Sequence, residues 1–315
     1  MNPLAALYGA AVRARNELYD HRALVLAHLQ GPVVSIGNLT VGGSGKTPFL
    51  ILLGELLKER GIFFDVLSRG YRRITKGMAP VDPLGSPREY GDEPLLIARK
   101  LGVPVIVGED RHAAGQLSEE RFGPLLHLLD DGFQHRRLAR DFDIVLLTSS
   151  DARDSLLPIG RMREPLSSLR RADAVVLTND MPGDGLRLGS QQVWRVTRGV
   201  VAPQTKEPCL AFCGIARPQN FIAQLQAAGV MLTGTRSFRD HHRYSAEDVR
   251  QLLRLRQQRG AAEFVTTEKD AVNLAGHLEA LQPVHVVPVR MRLHNAPAVL
   301  EFILATVRER KRRPA

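Results

Sequence analysis

The stretch Ile36–Phe49, IGNLTVGGSGKTPF, constrains this chain more than any other. A short apolar run, GPVVSI, leads into it and reads as a buried strand. A helix is predicted after it, from about Thr47 to Arg60, with Leu50, Leu53, Leu56 and Leu57 on one face. Strand, glycine-rich turn, Lys-Thr and helix is the order a phosphate cradle needs. Backbone N–H groups of the turn and of the helix N-terminus then point at phosphate oxygens. Gly42, Gly43 and Gly45 let the backbone come close. Lys46 would reach the β- and γ-phosphates, and the Thr47 hydroxyl would hold Mg²⁺. The usual spacing wants a glycine where Thr40 stands, so the match rests on context rather than on strict pattern. The candidate nucleotide-binding residues are Thr40, Val41, Gly42, Gly43, Ser44, Gly45, Lys46 and Thr47. The plainer alternative is a glycine turn capping a helix.

Downstream, apolar strands alternate with helices. IFFDVLS, VPVIV, LLHLLDD, FDIVLLT and DAVVLTND read as strands, and EPLLIARK, RHAAGQLSEERF and EPLSSLRRA as helices. Such alternation means a parallel sheet covered on both faces. QVWRVTRGVV alternates like an exposed strand, and APQTKEP reads as a boundary. The alternation then restarts with CLAFCGI, NFIAQLQAAG, VMLTGT, AEDVRQLLRLRQQ, EFVTT, VHVVPV and APAVLEFILATVRER. The expected fold is α/β: a phosphate-loop NTPase-like, mostly parallel sheet flanked by helices, with a second, smaller α/β domain. Residues 1–30 would form an amphipathic N-terminal helix region and 31–190 the phosphate-loop domain. Residues 191–207 would be a strand-like linker, and 208–315 a smaller domain contributing to the site.

The net charge of +10, from 43 basic and 33 acidic residues, favours an anionic partner. One Trp and five Tyr supply few stacking platforms, which argues against single-stranded nucleic acid. Cys209 and Cys213 lie four apart with no second pair to complete a zinc site, so two buried thiols are expected. The N-terminus lacks a signal-peptide layout, and no apolar run reaches the length of about 18 residues that spans a bilayer. Leu4, Leu7, Ala11, Ala14 and Leu18 nevertheless fall at helical spacing beside Arg13 and Arg15. That helix either lies on a membrane or packs on its own domain. The tail RERKRRPA is a basic cluster that anionic lipid would attract, or a solvated end.

LLHLLDDGFQH describes the strand end that carries a magnesium-directing aspartate in phosphate-loop enzymes; Asp130 and Asp131 are both candidates. With the loop, and with LSRGY, YGDEP, PIGRMREP, FCGIARPQNF, FRDHHRY and TTEKD in order from Ser35 to Asp270, the sequence resembles the tetraacyldisaccharide 4'-kinases. That family's loop also carries threonine at its first position. The resemblance implies an ATP- and Mg²⁺-dependent lipid kinase. It would transfer the γ-phosphate of ATP to the 4'-hydroxyl of tetraacyldisaccharide 1-phosphate, an anionic lipid A precursor. It would work as a peripheral protein on the cytoplasmic side of the bacterial inner membrane, with no nucleic acid and no protein partner inferred.

The same resemblance makes Asp92 the catalytic aspartate, paired with a histidine from FRDHHRY; His241 follows the aspartate directly and is preferred to His242. From position alone, Asp92 could be no more than a helix cap. Arg163 and Glu164 match a family pair near the phosphates and metal, so the metal candidates are Thr47, Asp130, Asp131 and Glu164. Gln134 and His135 could orient a phosphate or a metal-bound water. Arg69 and Arg72 follow a strand end, where α/β sheets bind ligands, and could grip the lipid phosphate bidentately; Arg111 is a weaker candidate. Lys269 and Asp270 are expected to be structural. The competing enzyme is a phosphate-loop NTPase of another type, such as a metallochaperone-like GTPase. It lacks support because the lysine of TEKD stands one place late for a guanine motif.

Overall fold

The computed structural model describes residues 3–178, 181 and 188–312. Among them the strands form two sheets. The larger comprises β1 (Val33–Asn38), β2 (Phe64–Ser68), β3 (Ala79–Pro80), β4 (Val105–Val107), β5 (Leu126–Asp130), β6 (Phe142–Leu147), β7 (Ala174–Thr178), β8 (Gln192–Val200) and β13 (Val289–Leu293). The smaller comprises β9 (Cys209–Cys213), β10 (Leu232–Ser237), β11 (Glu263–Thr267) and β12 (Val284–Val287). The large sheet runs β13-β8-β7-β6-β1-β5-β2-β4-β3 and the small one β10-β9-β11-β12. Only β3 against β4 and β13 against β8 pair antiparallel. Every apolar run read as a strand lies in one of these sheets, and the α/β expectation holds.

Helix α2 (Lys46–Glu59) follows the glycine loop and buries Phe49, Leu50, Leu53 and Leu57 against the large sheet and α9 (Ala296–Arg312). Helices α4 (Asp92–Leu101) and α5 (Arg111–Phe122) return the chain between strands, as parallel pairing requires. A single turn, α3 (Pro87–Tyr90), precedes α4. In the small unit α6 (Pro218–Ala227), α7 (Ala246–Gln258) and α8 (Glu268–Leu274) do the same.

Four expectations need correction. QVWRVTRGVV is not a linker: β8 pairs with β7 on one side, Val176 facing Trp194, and with β13 on the other, Met291 facing Arg198. VHVVPV is not one strand. Pro288, which has no N–H to donate, divides it, so β12 closes the small sheet while β13 returns to the edge of the large one. α9 follows β13 and packs on α2, so residues 289–312 belong with the large sheet rather than the smaller unit. EPLSSLRRA forms a 3₁₀ turn, Leu166–Arg171, rather than an α-helix. Asn179 and Asp180, read as a strand end, lie outside the described residues.

Helix α1 (Pro3–Asp20) docks by its polar side. Tyr8 Oη donates to the Arg163 carbonyl at 3.0 Å, Arg15 to the Gln134 carbonyl at 3.0 Å, and Asn16 Nδ2 to Glu164 at 2.7 Å. Leu4 and Leu7 face outward, 60% and 70% exposed. The basic tail is partly spent on internal contacts, since Arg310 pairs with Asp173 and Lys311 donates to the Leu29 carbonyl. Among the described residues no helix is long and apolar enough to cross a membrane.

Candidate active site

Both sheets turn the C-terminal ends of their strands toward one cavity of about 490 Å³. The loop from Val41 to Thr47 forms one wall. Gly42 and Gly45 take φ of 85° and 87°, a region that favours glycine. A β-carbon on Gly45 would also stand 2.5 Å from the Met291 methyl group. Thr40 is not on the cavity wall. It is fully buried, its hydroxyl donating to Asp151 at 3.0 Å and accepting from Asn38 Nδ2 at 3.2 Å. This explains a threonine where phosphate loops usually carry glycine: the hydroxyl fixes the loop's base. Asn38, at the end of β1, accepts from Lys46 Nζ at 3.1 Å and from Arg163 at 2.8 Å.

Beside β1, β5 ends in the acidic pair. Asp130 Oδ2 accepts from Ser68 of β2 at 2.8 Å, while its Oδ1 is buried with no partner among the described residues. Burial, reinforced by Glu93 and Asp131, pushes its carboxyl up to about 7. Burial acts the same way on Asp131. There Lys46 at 3.4 Å and Arg163 at 2.9 Å outweigh it and hold the carboxyl well below the usual range. An uncompensated, buried carboxylate oxygen at the cavity that Thr47 also lines is what a small divalent cation seeks. Among the described residues no three acid, imidazole or thiol groups converge. A cation here would take one or two carboxylates and a hydroxyl, with water or phosphate completing the shell, which suits Mg²⁺. Glu164 stands apart from this group. Its Oε2 is held by Asn16 and by Arg171 at 2.6 Å, under the N-terminal helix and off the cavity wall.

The third wall joins the two units. Asp92 opens α4, directly after Gly91, which occupies the cap position itself. Its carboxylate accepts from His241 Nδ1 at 2.8 and 3.0 Å, from Asn273 at 3.0 Å and from the Glu93 N–H at 2.9 Å. Burial opposes ionisation of Asp92. The His241 hydrogen bond and the Lys269 charge outweigh it, so the carboxyl lies well below its usual range. His241 sits at φ 57°. That conformation is uncommon for a residue with a side chain and is held by its N–H on the Gly214 carbonyl at 3.1 Å. Tyr71 packs edge-on against its ring, centroids 5.2 Å apart. His242 turns the other way, stacked on Phe238 and 3.2 Å from Asp248.

Lys269 is the residue that sequence reasoning misplaced. It belongs to this wall, with Glu93 and Asp240 each at 3.2 Å and His241 Nε2 at 3.3 Å. A lysine donating to Nε2 leaves the imidazole proton on Nδ1, facing Asp92. Asn273, Asn38, Ser68 and Arg217 were also missed. They carry no motif of their own and are recognisable only once the strand ends meet. Asp270 has the expected structural role, accepting from the Gly214 N–H at 2.7 Å and from Tyr244 at 2.8 Å.

The remaining candidates divide. Arg69 and Arg72 line the cavity, and Arg72 donates to the Asp240 carbonyl at 2.9 Å. Arg163 lines it too. Arg111, Gln134 and His135 do not: Arg111 donates to the Glu109 carbonyl at 2.8 Å and Gln134 to the Asn38 carbonyl at 2.9 Å. Burial, with Arg111 nearby, pushes the His135 imidazole down to about 4.

A parallel sheet with a glycine loop at the end of its central strand, Lys-Thr opening the next helix and an acid pair on the adjoining strand defines a phosphate-loop nucleotide-binding protein. Comparison with known proteins narrows the class. The model of the tetraacyldisaccharide-1-P 4'-kinases, LpxK, matches residues 1–308. A tetraacyldisaccharide 4'-kinase of Koribacter versatilis is 48% identical over 99% of this chain and 100% of its own length. One from Geobacter metallireducens is 39% identical over 96% of each. Among solved structures, LpxK from Aquifex aeolicus in complex with ATP superposes with a TM-score of 0.80 at 34% identity, covering 97% of this chain and 98% of that one. The chain belongs to the tetraacyldisaccharide 4'-kinase family.

Proposed function

We propose that the chain transfers the γ-phosphate of ATP to the 4'-hydroxyl of tetraacyldisaccharide 1-phosphate, forming lipid IVA, with Asp92 as the proton acceptor. The observation that carries this reading is the 2.8 Å contact between Asp92 and His241, made across two sheets and open to the same cavity as the phosphate loop. In the reaction a bond forms between the sugar oxygen and the γ-phosphorus, and the bond to the ADP oxygen breaks. The hydroxyl proton passes to Asp92. Three N–H donors meet a carboxylate with about four lone-pair sites, leaving room for one hydroxyl. Phosphoryl transfer is loose in most analyses, so placing the nucleophile counts for more than a strong base. A carboxylate that stays ionised and rigidly held suits that task.

Lys46 and the loop N–H groups hold the β- and γ-phosphates, and Arg163 stands beside them. Thr47 and Asp130, with Asp131 adjacent, would hold Mg²⁺, which when bound offsets phosphate charge. Arg69 and Arg72, at the cavity wall, suit the anionic head of the lipid. The outward leucines of α1 suit a helix resting on the cytoplasmic face of the inner membrane, so the substrate need not leave the bilayer. The GTPase alternative loses ground, because Lys269 and Asp270 are both engaged elsewhere.

The test is direct. Parent protein and Asp92→Ala are given γ-labelled ATP, Mg²⁺ and tetraacyldisaccharide 1-phosphate in detergent. Labelled lipid from the parent, and about 10²- to 10⁴-fold less from a folded variant, is expected. Equal label from both would remove Asp92 as the base; no label from either would remove the substrate.

A further inference from the structure

The sequence GKTPF places Pro48 third in α2. Proline has no N–H, so this helix start offers an anion one backbone donor fewer than the same turn with another residue there. In such loops the backbone donors cradle the α- and β-phosphates. Something else would have to serve that end of the nucleotide.

Arg198, on β8, reaches the same cavity. Its Nη1 lies 3.8 Å from where a β-carbon on Gly45 would stand, against the last glycine of the loop. Its Nε is buried, and among the described residues its guanidinium has no hydrogen-bond or carboxylate partner. Four other cations lining this cavity have carboxylate partners: Lys46 and Arg163 pair with Asp131, Lys269 with Glu93, and Arg217 with Asp151 at 2.6 Å. Burial and the nearby Arg217 both weaken the proton's hold on Arg198, with no carboxylate opposing them. A half-buried guanidinium with no partner carries a cost in stability, and a phosphate would relieve it. Ser44, in the loop itself, likewise has a buried hydroxyl without a partner.

We propose that Arg198 is a nucleotide-binding residue whose guanidinium grips the α- and β-phosphates from the β8 side of the loop, in place of the donor that Pro48 removes. The γ-phosphate end lies elsewhere, toward Lys46, the acid pair and Asp92. The inference rests on the kinase reading above, and it assigns β8, which has no part in the loop motif, to the nucleotide site.

The experiment is calorimetric titration of parent, Arg198→Gln and Arg198→Lys with MgADP and MgATP, alongside thermal melting without nucleotide. Arg198→Gln is expected to weaken ADP and ATP by the same factor, on the order of 10- to 100-fold, the range of a charge-assisted hydrogen bond. Turnover at saturating ATP stays within a few-fold of the parent. Arg198→Lys recovers part of the affinity, and the nucleotide-free melting temperature does not fall. ATP affinity and turnover lost with ADP affinity intact would make Arg198 a γ-phosphate contact and overturn the proposal. So would unchanged affinities, or a lower melting temperature with affinity that lysine does not restore. A parent that binds neither nucleotide would sink the kinase reading itself.

Discussion

Lys269 joins four side chains that no local pattern connects: Glu93, Asp240, His241 and, at 3.9 Å, Asp92. Its charge keeps Asp92 ionised, and its N–H donation fixes the imidazole tautomer. Lys269→Met should therefore lower kcat by about 10²-fold while leaving MgADP affinity within a few-fold. A variant with normal kcat would reduce Lys269 to a strut between units. The motif TTEKD shows a lysine after a strand but gives no sign of what it meets, since its partners come from α4 and from the loop after β10. The loop stood out by its own residue types, whereas Asp92 and His241 were reached through the family resemblance; all three line the cavity. Glu164 looked equally good beside Arg163, yet neighbours in sequence at a bend point opposite ways, and only Arg163 faces the cavity.

At the scale of elements, α1 inverts the usual arrangement, with Asn16 buried and Leu7 outside. Leu4→Ser with Leu7→Ser should weaken sedimentation with anionic lipid vesicles by about tenfold or more, and leave nucleotide binding unchanged. Undiminished sedimentation would exclude this helix from the membrane contact proposed for it. The amphipathic spacing showed a stripe; only the docked polar face shows which side is free.

A second element-scale device lies at the far end of the sheet. His127 of β5 is fully buried between Asp65 of β2 at 2.8 Å and Glu119 of α5 at 3.2 Å, with Ser118 also donating to Asp65. Burial pulls its pKa down, but the two carboxylates raise it more, above the ordinary value of 6.5. A folded-state value above the unfolded one means that this contribution is complete below about pH 6.5 and fades as pH climbs through the raised value. His127→Gln should therefore cost about 3 kcal/mol at pH 6 and less once the pH has passed the raised value, read by thermal unfolding. An equal cost at both would show that the histidine acts by shape alone.

For the whole molecule, the cavity is also the seam. Arg217 reaches Asp151, Arg72 the Asp240 carbonyl and Lys100 Glu268, each tie crossing from one unit to the other. A nucleotide held on both sides of that seam favours the closed, folded protein. MgADP at about 100 times its Kd should add about 2.7 kcal/mol of stability, seen as a rise of several degrees in Tm. Arg217→Ala should shrink that rise, and an unshrunken one would place the nucleotide on the large unit only. The restarted alternation after position 207 coincides with the start of the second sheet at Cys209. The return of β13 and α9 was not legible, because a proline within an apolar run can end a strand or carry it into another sheet.

That return has a consequence for how the protein is made. β8 is complete at Val200, but the strand that covers its outer edge begins only at Val289, 89 positions later. At about 5 to 20 residues per second, synthesis leaves that edge uncovered for roughly 4 to 18 s. During this interval an unpaired edge strand invites pairing with other chains. The nascent large sheet must wait for β13, made after the whole of the small unit's sheet, before it can close, and a ribosome that stalls within the small unit releases an adhesive intermediate rather than a finished domain.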